Sequence, residues 1–414
     1  MTEGLRIAVY HNLLPGGAKR SLFEMVRRLA RDHQIDLFTL STADHDFCDV
    51  RPYVERVVEI PFTAWSTTAF KRPFGRLNKG LALGNLLRLR RLCREISCQI
   101  DAGGYDVVFV HHCRYTQSPS VLEFLETPSV YFCQESVRWV YEPPVPRAYW
   151  APSRLGRSLD AVDVFNKSYV ALLKRLDQIN ARRARRVLVN SYFSRESIYR
   201  IYGINGRVCY LGVDTGHFRP LEVAPEEIVL CVGSVTPAKG NELVVEGLGA
   251  IPEARRPPMV LASHAANPDE RAFLAELAAA RGVDLEFRDL GDNGYLVELY
   301  SAARVTAYTP YLEPLGLVPL ESMACGTPVV GVREGGVRET VDHGETGLLV
   351  DRDPEAFAEA VETLFGDPAF AQRCGALGRE RVAEHWTWER NVAQVERHLL
   401  AVADGAKDFR SLER

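Results

Sequence analysis

The sequence predicts an α/β fold with two domains, each built on a doubly wound parallel sheet. Its 414 residues exceed what one ordinary hydrophobic core supports. Short apolar runs alternate with amphipathic helical segments, which is typical of parallel sheets with helices on both faces. The alternation occurs twice, on either side of a polar, proline-bearing joint at 212–227. Because open parallel sheets bind ligands beyond the carboxyl ends of their strands, the expected site is a cleft between the domains.

The first half opens with LRIAVY, a continuous apolar run that predicts a buried strand. A glycine-bearing loop and an amphipathic helix, SLFEMVRRLARD, come next. Further strands are predicted at 35–40, 105–112, 128–135 and 185–194, with helices at 83–96 and 157–184 among them.

The second half repeats this order of elements. A helix is predicted at 269–282, and the chain is predicted to be helical from 368 to about 403. Strands are predicted at 228–235, 258–263, 283–290, 305–310, 327–332 and 347–350. Together the two halves predict two Rossmann-like domains that face each other across a cleft.

The net charge of −4 conceals an asymmetry between the halves. Residues 1–212 carry 31 Lys and Arg against 20 Asp and Glu, whereas residues 213–414 carry 19 against 34. A basic half attracts a phosphorylated ligand or an anionic membrane surface. The alternative is codon bias, since arginine outnumbers lysine 43 to 7.

The sequence predicts a cytoplasmic protein. The N-terminus lacks the basic region, apolar core and cleavage site of a signal peptide. No run reaches the ~18 apolar residues of a membrane span, and the nine scattered cysteines indicate reduced thiols. Segments 62–79 and 86–95 mix aromatic residues with arginines, so two interpretations stay open: peripheral contact with the anionic inner face of the cytoplasmic membrane, and solvated helix faces. Nucleic-acid binding is not expected.

The stretch YLEPLGLVPLESMACGTPVV is the densest functional signal in the chain. Pro314 and Gly316 break regular structure, and a helix is predicted from Val318 to Cys325. The backbone amides of Leu315, Gly316 and Leu317 would then lie at a helix N-terminus. Unpaired amides and the helix dipole favour an anion at that position.

Two carboxylates flank this predicted anion site. Glu313 lies before the helix and Glu321 lies about one turn inside it. At ~1.5 Å rise per helical residue, they are expected to be too far apart for a retaining-glycosidase pair, which needs ~5 Å. A sugar–diphosphate–nucleoside has the matching layout, with hydroxyls on both sides of the phosphates. The alternative is a core helix with two incidental surface glutamates.

EPLGLVPLESMACGTPVV, followed by EGGVRETVDHGETGLLV, closely resembles the signature of glycosyltransferase family 4, the group 1 transferases. VLVNSYFSRESIYRIYGINGRVCYLGVDTGHFRP and RVAEHWTWERNV resemble the interdomain segment and the closing helix of that family. The resemblance implies the GT-B fold and retaining sugar transfer. It also implies domains at 1–212 and 213–384, with a C-terminal helix within 385–414 that crosses back to the first domain.

The resemblance also implies roles for the donor-side residues. Glu313 would bind hydroxyls of the donor sugar, Glu321 would bind the ribose hydroxyls, and the amides of residues 315–317 would hold the sugar and diphosphate end. CVGSVTPAKG resembles the phosphate clamp of the family, in which Lys239 matches the lysine but Ser234 stands where arginine is usual. A transferase needs positive charge on the leaving diphosphate. Ser234 therefore implies a weaker donor site or compensation by another arginine.

Two further motifs lie in the first half. In LLPGGAKRS, Gly16 and Gly17 allow either a tight turn or close backbone approach to a ligand, and the family places such a pair against the donor phosphates. In HHCRY, His111 takes the position of a family histidine that meets the donor sugar, with His112 as the alternative. The third possibility is a purely structural histidine.

The segment CQESVRWVYEPP resembles a loop that lines the acceptor side in the family. Gln134, which stands where family members often have histidine, and Arg138 are the predicted acceptor-binding residues. The alternative is a loop that packs Trp139 and Tyr141.

Two Asp-x-Asp triplets, at 44–46 and 351–353, resemble the metal motif of the other glycosyltransferase fold. Both are interpreted as loops, and Asp353 is a predicted helix N-cap because PEAFAEAVETL follows it. No cofactor and no essential metal are expected, since the cationic clamp and the helix dipole would replace the metal.

These observations predict a retaining, hexosyltransferase-type enzyme of polysaccharide or glycolipid biosynthesis. Its partners would be a nucleotide-sugar donor and a sugar, lipid-linked or small-molecule acceptor. The predicted catalytic residues are Glu313, His111 and Lys239. Two alternatives stay open: a sugar-nucleotide epimerase or hydrolase on the same fold, and a non-catalytic nucleotide-sugar-binding partner, which Ser234 favours.

Overall fold

Two parallel sheets organise the protein. The computed structural model describes residues 4–71, 74–147, 149, 163–291 and 293–405. The first sheet contains β1 Arg6–Asn12, β2 Gln34–Leu40, β3 Arg56–Ile60, β4 Val107–Cys113, β5 Ser129–Phe132, β6 Arg186–Val189 and β7 Arg207–Val208, in the order β3-β2-β1-β4-β5-β6-β7. The second contains β8 Glu226–Val232, β9 Met259–Ser263, β10 Leu285–Asp289, β11 Ala303–Tyr308, β12 Val329–Val332 and β13 Gly347–Val350, in the order β10-β9-β8-β11-β12-β13. Parallel pairing throughout both orders confirms the predicted fold class.

Helices connect the strands and cover the sheets. They are α1 Gly17–Leu29, α2 Leu77–Asp101, α3 Val121–Phe124, α4 Arg138–Tyr141, α5 Val164–Arg183, α6 Tyr192–Tyr202, α7 Asn241–Ala250, α8 Pro268–Arg281, α9 Asn293–Ala302, α10 Leu317–Ala324, α11 Val337–Thr340, α12 Pro354–Gly366, α13 Pro368–His385 and α14 Trp388–Ala403. Of the helix predicted at 157–184, residues 157–162 lie outside the described part of the chain. None of the described helices is long and apolar enough to cross a bilayer.

The strand predictions for the first sheet differ from the structure at three places. The edge strand β3 was missed because most of its residues are exposed and give no apolar run, and β7 was missed because it has two residues. The strand predicted at 185–194 ends at Val189. A helix follows at Tyr192 because the Ser191 side chain accepts a hydrogen bond from the Ser194 amide and caps the helix.

The predicted helical run from 368 to 403 is two helices, interrupted at Trp386 and Thr387. The Trp386 carbonyl accepts a hydrogen bond from the Val213 amide at 2.8 Å, and the Thr387 side chain caps α14. A Cβ on Gly212 would lie 2.3 Å from the Thr387 carbonyl carbon. The chain therefore crosses from one domain to the other twice, once near Gly212 and once near Thr387, and the two crossings lie side by side.

The last described helix, α14, packs on the first sheet although it follows the second in sequence. His33 Nε2 lies 3.0 Å from Glu396 Oε1, and Arg28 Nε donates to Glu389 Oε1 at 2.9 Å. The domain limits at 212 and 384 stay predictions, and residues 406–414 of the predicted closing segment lie outside the described residues.

Candidate active site

The candidate site lies where both sheets reverse their strand order. β1 and β4 are neighbours at the reversal in the first sheet, and β8 and β11 are neighbours in the second. The loops after these four strands carry many of the predicted site residues. Their convergence follows from the rule that doubly wound sheets form crevices at the carboxyl ends of such strand pairs.

Glu313 and Lys239 form an ion pair after β11 and β8. Lys239 Nζ donates to Glu313 Oε2 at 3.2 Å, and both side chains are largely shielded from solvent. Burial opposes ionisation of Glu313, but Lys239 and Arg138 outweigh it and hold the pKa of this carboxyl below its usual value. Glu313 is therefore a carboxylate at neutral pH, able to accept hydrogen bonds from hydroxyl groups.

Close backbone packing fixes the position of Glu313. The preceding residue, Leu312, has a left-handed φ of 45°, which is strained for a residue with a side chain. A Cβ on Gly335 would lie 2.4 Å from the Glu313 carbonyl oxygen, and one on Gly336 would lie 2.3 Å from that of Pro314. Gly335 and Gly336, the first two glycines of EGGVRETVDHGETGLLV, are thus needed because this loop packs directly against the backbone that carries Glu313.

Two helix N-termini meet at the cleft. Gly16 precedes α1 and Gly316 precedes α10, and neither helix start has a side-chain cap or an acidic residue in its first turn. A Cβ on Gly17 would lie 3.8 Å from Leu317 Cδ1, so the first residues of the two helices are neighbours. The predicted helix start at 318 is one residue late. Two uncapped helix starts side by side form a concentrated site for a negatively charged group.

Glu321 lies in α10 and is almost fully buried. Its Oε1 accepts a hydrogen bond from Arg20 Nη1 at 2.5 Å, and its Oε2 accepts one from the Tyr300 hydroxyl at 3.1 Å. Glu313 and Glu321 thus have separate partners, as expected for two binding groups rather than one acid/base couple.

The two predicted acceptor-side residues differ in their contacts. Arg138 Nη2 donates to the Tyr311 carbonyl across the cleft at 2.6 Å, and Arg138 Nε donates to Glu142 Oε2 at 2.8 Å. Gln134 is buried, and its backbone amide donates to His112 Nε2 at 3.0 Å. Arg138 therefore lies beside the loop that carries Glu313, whereas the contacts of Gln134 with His112 and Ser194 are made by its backbone.

The structure distinguishes the two histidines of HHCRY. Both ring nitrogens of His112 lie within hydrogen-bond distance of other groups, the Gln134 amide and Gln117 Nε2. Neither ring nitrogen of His111 has a hydrogen-bond partner within the described part of the chain, and its ring stacks on Phe132. Burial lowers the pKa of both imidazoles, to about 3 for His112, so both are neutral at physiological pH.

A second set of buried polar groups surrounds His111. Lys19 is fully buried, and its Nζ has no hydrogen-bond partner among the described residues. His11 Nδ1 accepts a hydrogen bond from the Leu13 amide at 3.3 Å, so its Nε2 carries the proton, and that atom is also unpartnered. The His11 and His45 rings lie 6.3 Å apart. Near the carboxyl ends of β1 and β4, these groups therefore leave hydrogen-bond donors unused among the described residues.

A segment after α4 crosses from the first domain to the second. Arg147 donates through Nε and Nη2 to both carboxylate oxygens of Glu270, at 2.9 and 2.8 Å, and through Nη2 to Glu242 Oε2 at 2.8 Å. The Tyr149 hydroxyl donates to Glu270 at 2.5 Å. These pairs match an arginine of the basic half with two glutamates of the acidic half, so part of the charge asymmetry serves the domain interface.

Ser234 and the Asp-x-Asp triplet at 351–353 lie next to regular elements of the second domain. Ser234 lies two residues after the end of β8 at Val232, and the turn Pro237–Lys239 that carries the clamp lysine follows it. Asp353 caps α12 by accepting a hydrogen bond from the Ala356 amide, as predicted. Within the described residues, no three His, Cys, Asp or Glu side chains are grouped as metal ligands.

Sequence reasoning missed Arg20, Tyr300 and Glu135. Arg20 stands in the quoted motif LLPGGAKRS, but the general excess of arginine hid its importance. Glu135 adjoins Gln134, and burial raises its pKa although Arg138 opposes the rise. Tyr300 carried no local signal, because its contact with Glu321 depends on the packing of α9 against α10.

Two family models match the chain. One, described as Glycosyltransferase Family 4, matches residues 15–217, and the other, described as Glycosyl transferases group 1, matches residues 214–381. Together they extend over most of the sequence and confirm the resemblance that its motifs indicated.

Named relatives agree with these matches. An alpha-maltose-1-phosphate synthase of Mycolicibacterium smegmatis is 36% identical over 204 residues, which cover 43% of this chain and 52% of that protein. A D-inositol 3-phosphate glycosyltransferase of Acidothermus cellulolyticus is 33% identical over 228 residues, covering 49% of this chain and 50% of that protein. The chain thus spans about half the length of these two relatives.

A solved structure supports the fold independently. The sucrose-phosphate synthase of Thermosynechococcus elongatus superimposes with a TM-score of 0.70 at 23% identity, covering 97% of this chain and all of that one. At this identity the likeness establishes the architecture, two Rossmann-like domains in the GT-B arrangement.

Proposed function

The chain belongs to glycosyltransferase family 4, and from this membership we propose that it transfers a sugar from a nucleotide-diphosphate donor to a hydroxyl group of an acceptor. The contact between the uncapped starts of α1 and α10 is the observation that carries the proposal. It supports a diphosphate there, since the unpaired amides and the dipoles of two neighbouring helix starts favour phosphate oxygens. Glu313, which pairs with Lys239, precedes α10, and Glu321 lies within that helix.

The donor roles follow the layout of the site. Glu313, ionised and held by Lys239, accepts hydrogen bonds from the sugar hydroxyls. Glu321 binds the ribose hydroxyls, and the amides of residues 315–317 bind the phosphates. Lys239 stabilises the charge that develops on the diphosphate as the glycosidic bond breaks.

The proposed reaction retains the anomeric configuration and needs no metal. The bond from the sugar C1 to the donor phosphate oxygen breaks, and a bond from C1 to the acceptor oxygen forms on the same face. The acceptor proton passes to the departing phosphate oxygen. The separate partners of Glu313 and Glu321 support this route, because neither carboxylate is arranged as half of a nucleophile–acid pair.

Thermal-shift measurements with UDP-, GDP- and ADP-sugars test donor binding, since a ligand that binds the native state raises Tm. With the donor identified, NMR of the product gives its anomeric configuration, and an inverted product would refute the proposed route. Activity that disappears on adding EDTA and returns with a divalent cation would refute metal independence.

Ser234 supports a second candidate, a non-catalytic nucleotide-sugar-binding protein, because a cation usual at this position is missing. Donor binding with no transfer across an acceptor panel would favour that candidate. Turnover of the donor without any acceptor would favour an epimerase or hydrolase instead.

We also propose peripheral contact with an anionic membrane through the region before α2. Trp65, Phe70 and Phe74 are 48%, 41% and 65% exposed, and the Arg88 guanidinium lies 4.7 Å from the Trp65 ring centroid. Aromatic rings beside cations suit the interface of a bilayer. Co-sedimentation with phosphatidylglycerol vesicles but not phosphatidylcholine vesicles, reduced by Phe74→Ser, is the expected result. Equal sedimentation with both would count against it.

A further inference from the structure

We propose that Arg20 supplies the second cation for the donor diphosphate, in place of the arginine that is usual at position 234. The inference rests on the proposed function of the cleft as a nucleotide-diphosphate-sugar site. It assigns a donor-binding role to a residue of the first domain, on the wall opposite Ser234.

Arg20 is positioned at the contact between the two helix starts. It lies in the first turn of α1, and its amide donates to the Gly16 carbonyl at 3.0 Å. The first turn of α1 contacts Leu317, the first residue of α10. The Arg20 guanidinium therefore emerges beside the point at which both sets of unpaired amides favour phosphate oxygens.

Arg20 has a partner that donor binding would replace. Its Nη1 donates to Glu321 at 2.5 Å, and the two side chains are 24% and 5% exposed. A buried carboxylate requires a cation or hydrogen-bond donors. Ribose hydroxyls are such donors, so a nucleotide that binds Glu321 satisfies the carboxylate and releases the guanidinium. The released group presents five N–H donors in a planar fork that suits phosphate oxygens.

The neighbouring arginines are engaged in other contacts. Arg138 donates to the Tyr311 carbonyl and to Glu142, and Arg147 donates to Glu242 and Glu270. None of these acceptors has a predicted role in donor binding, so the donor would release neither arginine. Arg20 is thus the arginine of the cleft whose contact the donor itself would exchange for a phosphate contact.

Calorimetric titration of nucleoside diphosphates and the corresponding nucleosides tests the exchange. UDP, GDP, ADP and their nucleosides are titrated into the wild-type protein, Arg20→Met and the double variant Arg20→Met/Ser234→Arg. The control is Arg27→Met, because Arg27 lies in the same helix, is 27% exposed and also pairs with carboxylates. Thermal unfolding of each variant checks that it is folded.

Arg20→Met is expected to weaken binding of the preferred diphosphate about 10- to 100-fold, the effect of losing hydrogen bonds from a charged group. Nucleoside binding is expected to stay the same or tighten, because no ion pair has to be broken. Ser234→Arg should restore most of the lost diphosphate affinity, and Arg27→Met should change neither affinity.

Four results would overturn the assignment, and the last of them would also refute the proposed function. Diphosphate affinity that is unchanged or higher in Arg20→Met would mean that Arg20 only holds the cleft together. Equal weakening of nucleoside and diphosphate would indicate a structural role. If Ser234→Arg does not restore binding, Arg20 does not replace the arginine that is usual at position 234. Absence of diphosphate binding to the wild-type protein would refute the proposed function of the cleft as well.

Discussion

The buried ion pair between Arg147 and Glu270 fastens a segment of the first domain to the second, and its removal should be costly. The Glu270 side chain is fully buried and that of Arg147 is 6% exposed. Arg147→Met deletes three hydrogen bonds to the Glu270 carboxylate, of 2.8, 2.9 and 3.2 Å, and leaves a buried charge without its cation. Removing one partner of a buried pair costs about 3–5 kcal/mol of stability.

For Arg147→Met, the expected loss of unfolding free energy lies at the lower end of that range, about 3 kcal/mol. The Tyr149 hydroxyl still donates to Glu270 at 2.5 Å, and water can reach the carboxylate if the segment lifts. Glu270→Gln should cost about 2 kcal/mol, because Arg147 keeps its contact with Glu242. The double variant should lose about 3 kcal/mol, so the coupling energy is about 2 kcal/mol.

Urea unfolding of the wild type, both single variants and the double variant measures this coupling. The control is Arg255→Met, which removes an exposed pair with Glu362 at 3.0 Å, whose side chains are 67% and 31% exposed. That control should lose less than about 1 kcal/mol. If the loss in the double variant equals the sum of the single losses to within about 0.5 kcal/mol, the pair does not fasten the segment and the reasoning fails.

Other changes test the site and its surroundings. Lys239→Ala and Glu321→Ala should each weaken nucleoside diphosphate binding about 10- to 100-fold in calorimetry. Glu313→Ala should mainly lower kcat, by about 100-fold or more. Unchanged diphosphate affinity in both Lys239→Ala and Glu321→Ala would refute the proposed phosphate clamp. Burial lowers the pKa of Lys19 below 10.5, so the unfolded chain binds more protons and stability rises with pH in the window below that value. Lys19→Met should flatten this rise and add about 1–3 kcal/mol to the free energy of unfolding, and a loss of stability would contradict it. Asp353→Ala should cost about 1 kcal/mol of stability by removing the α12 cap, and an unchanged urea midpoint would speak against that cap.

The charge asymmetry of the sequence gains a structural explanation. Arg20 pairs with Glu321 and Arg147 pairs with Glu270, in each case an arginine of the first domain with a glutamate of the second. The excess of arginine in residues 1–212 had suggested a ligand, a membrane or codon bias. Contact between the domains is a further use that the counts alone could not reveal.

The sequence by itself determined the features that depend on neighbours along the chain. Apolar runs and helical periods predicted the two parallel sheets, and EPLGLVPLESMACGTPVV predicted a helix start with unpaired amides flanked by Glu313 and Glu321. Asp353 was recognised as a cap because capping acts over three residues. The sequence did not predict strand β3, because most of its residues are exposed and its sequence therefore carries no apolar pattern.

Only the tertiary structure decided which distant side chains meet. Arg20 and Glu321 are 301 residues apart, and their contact exists because α1 and α10 abut across the cleft. The pairing of His112 with Gln117 and the Gln134 amide, which leaves His111 unpartnered among the described residues, likewise depends on the register of neighbouring strands and loops. The physical reason is that periodicity records which face of an element is buried, whereas partners across a cleft are fixed by how two finished sheets dock.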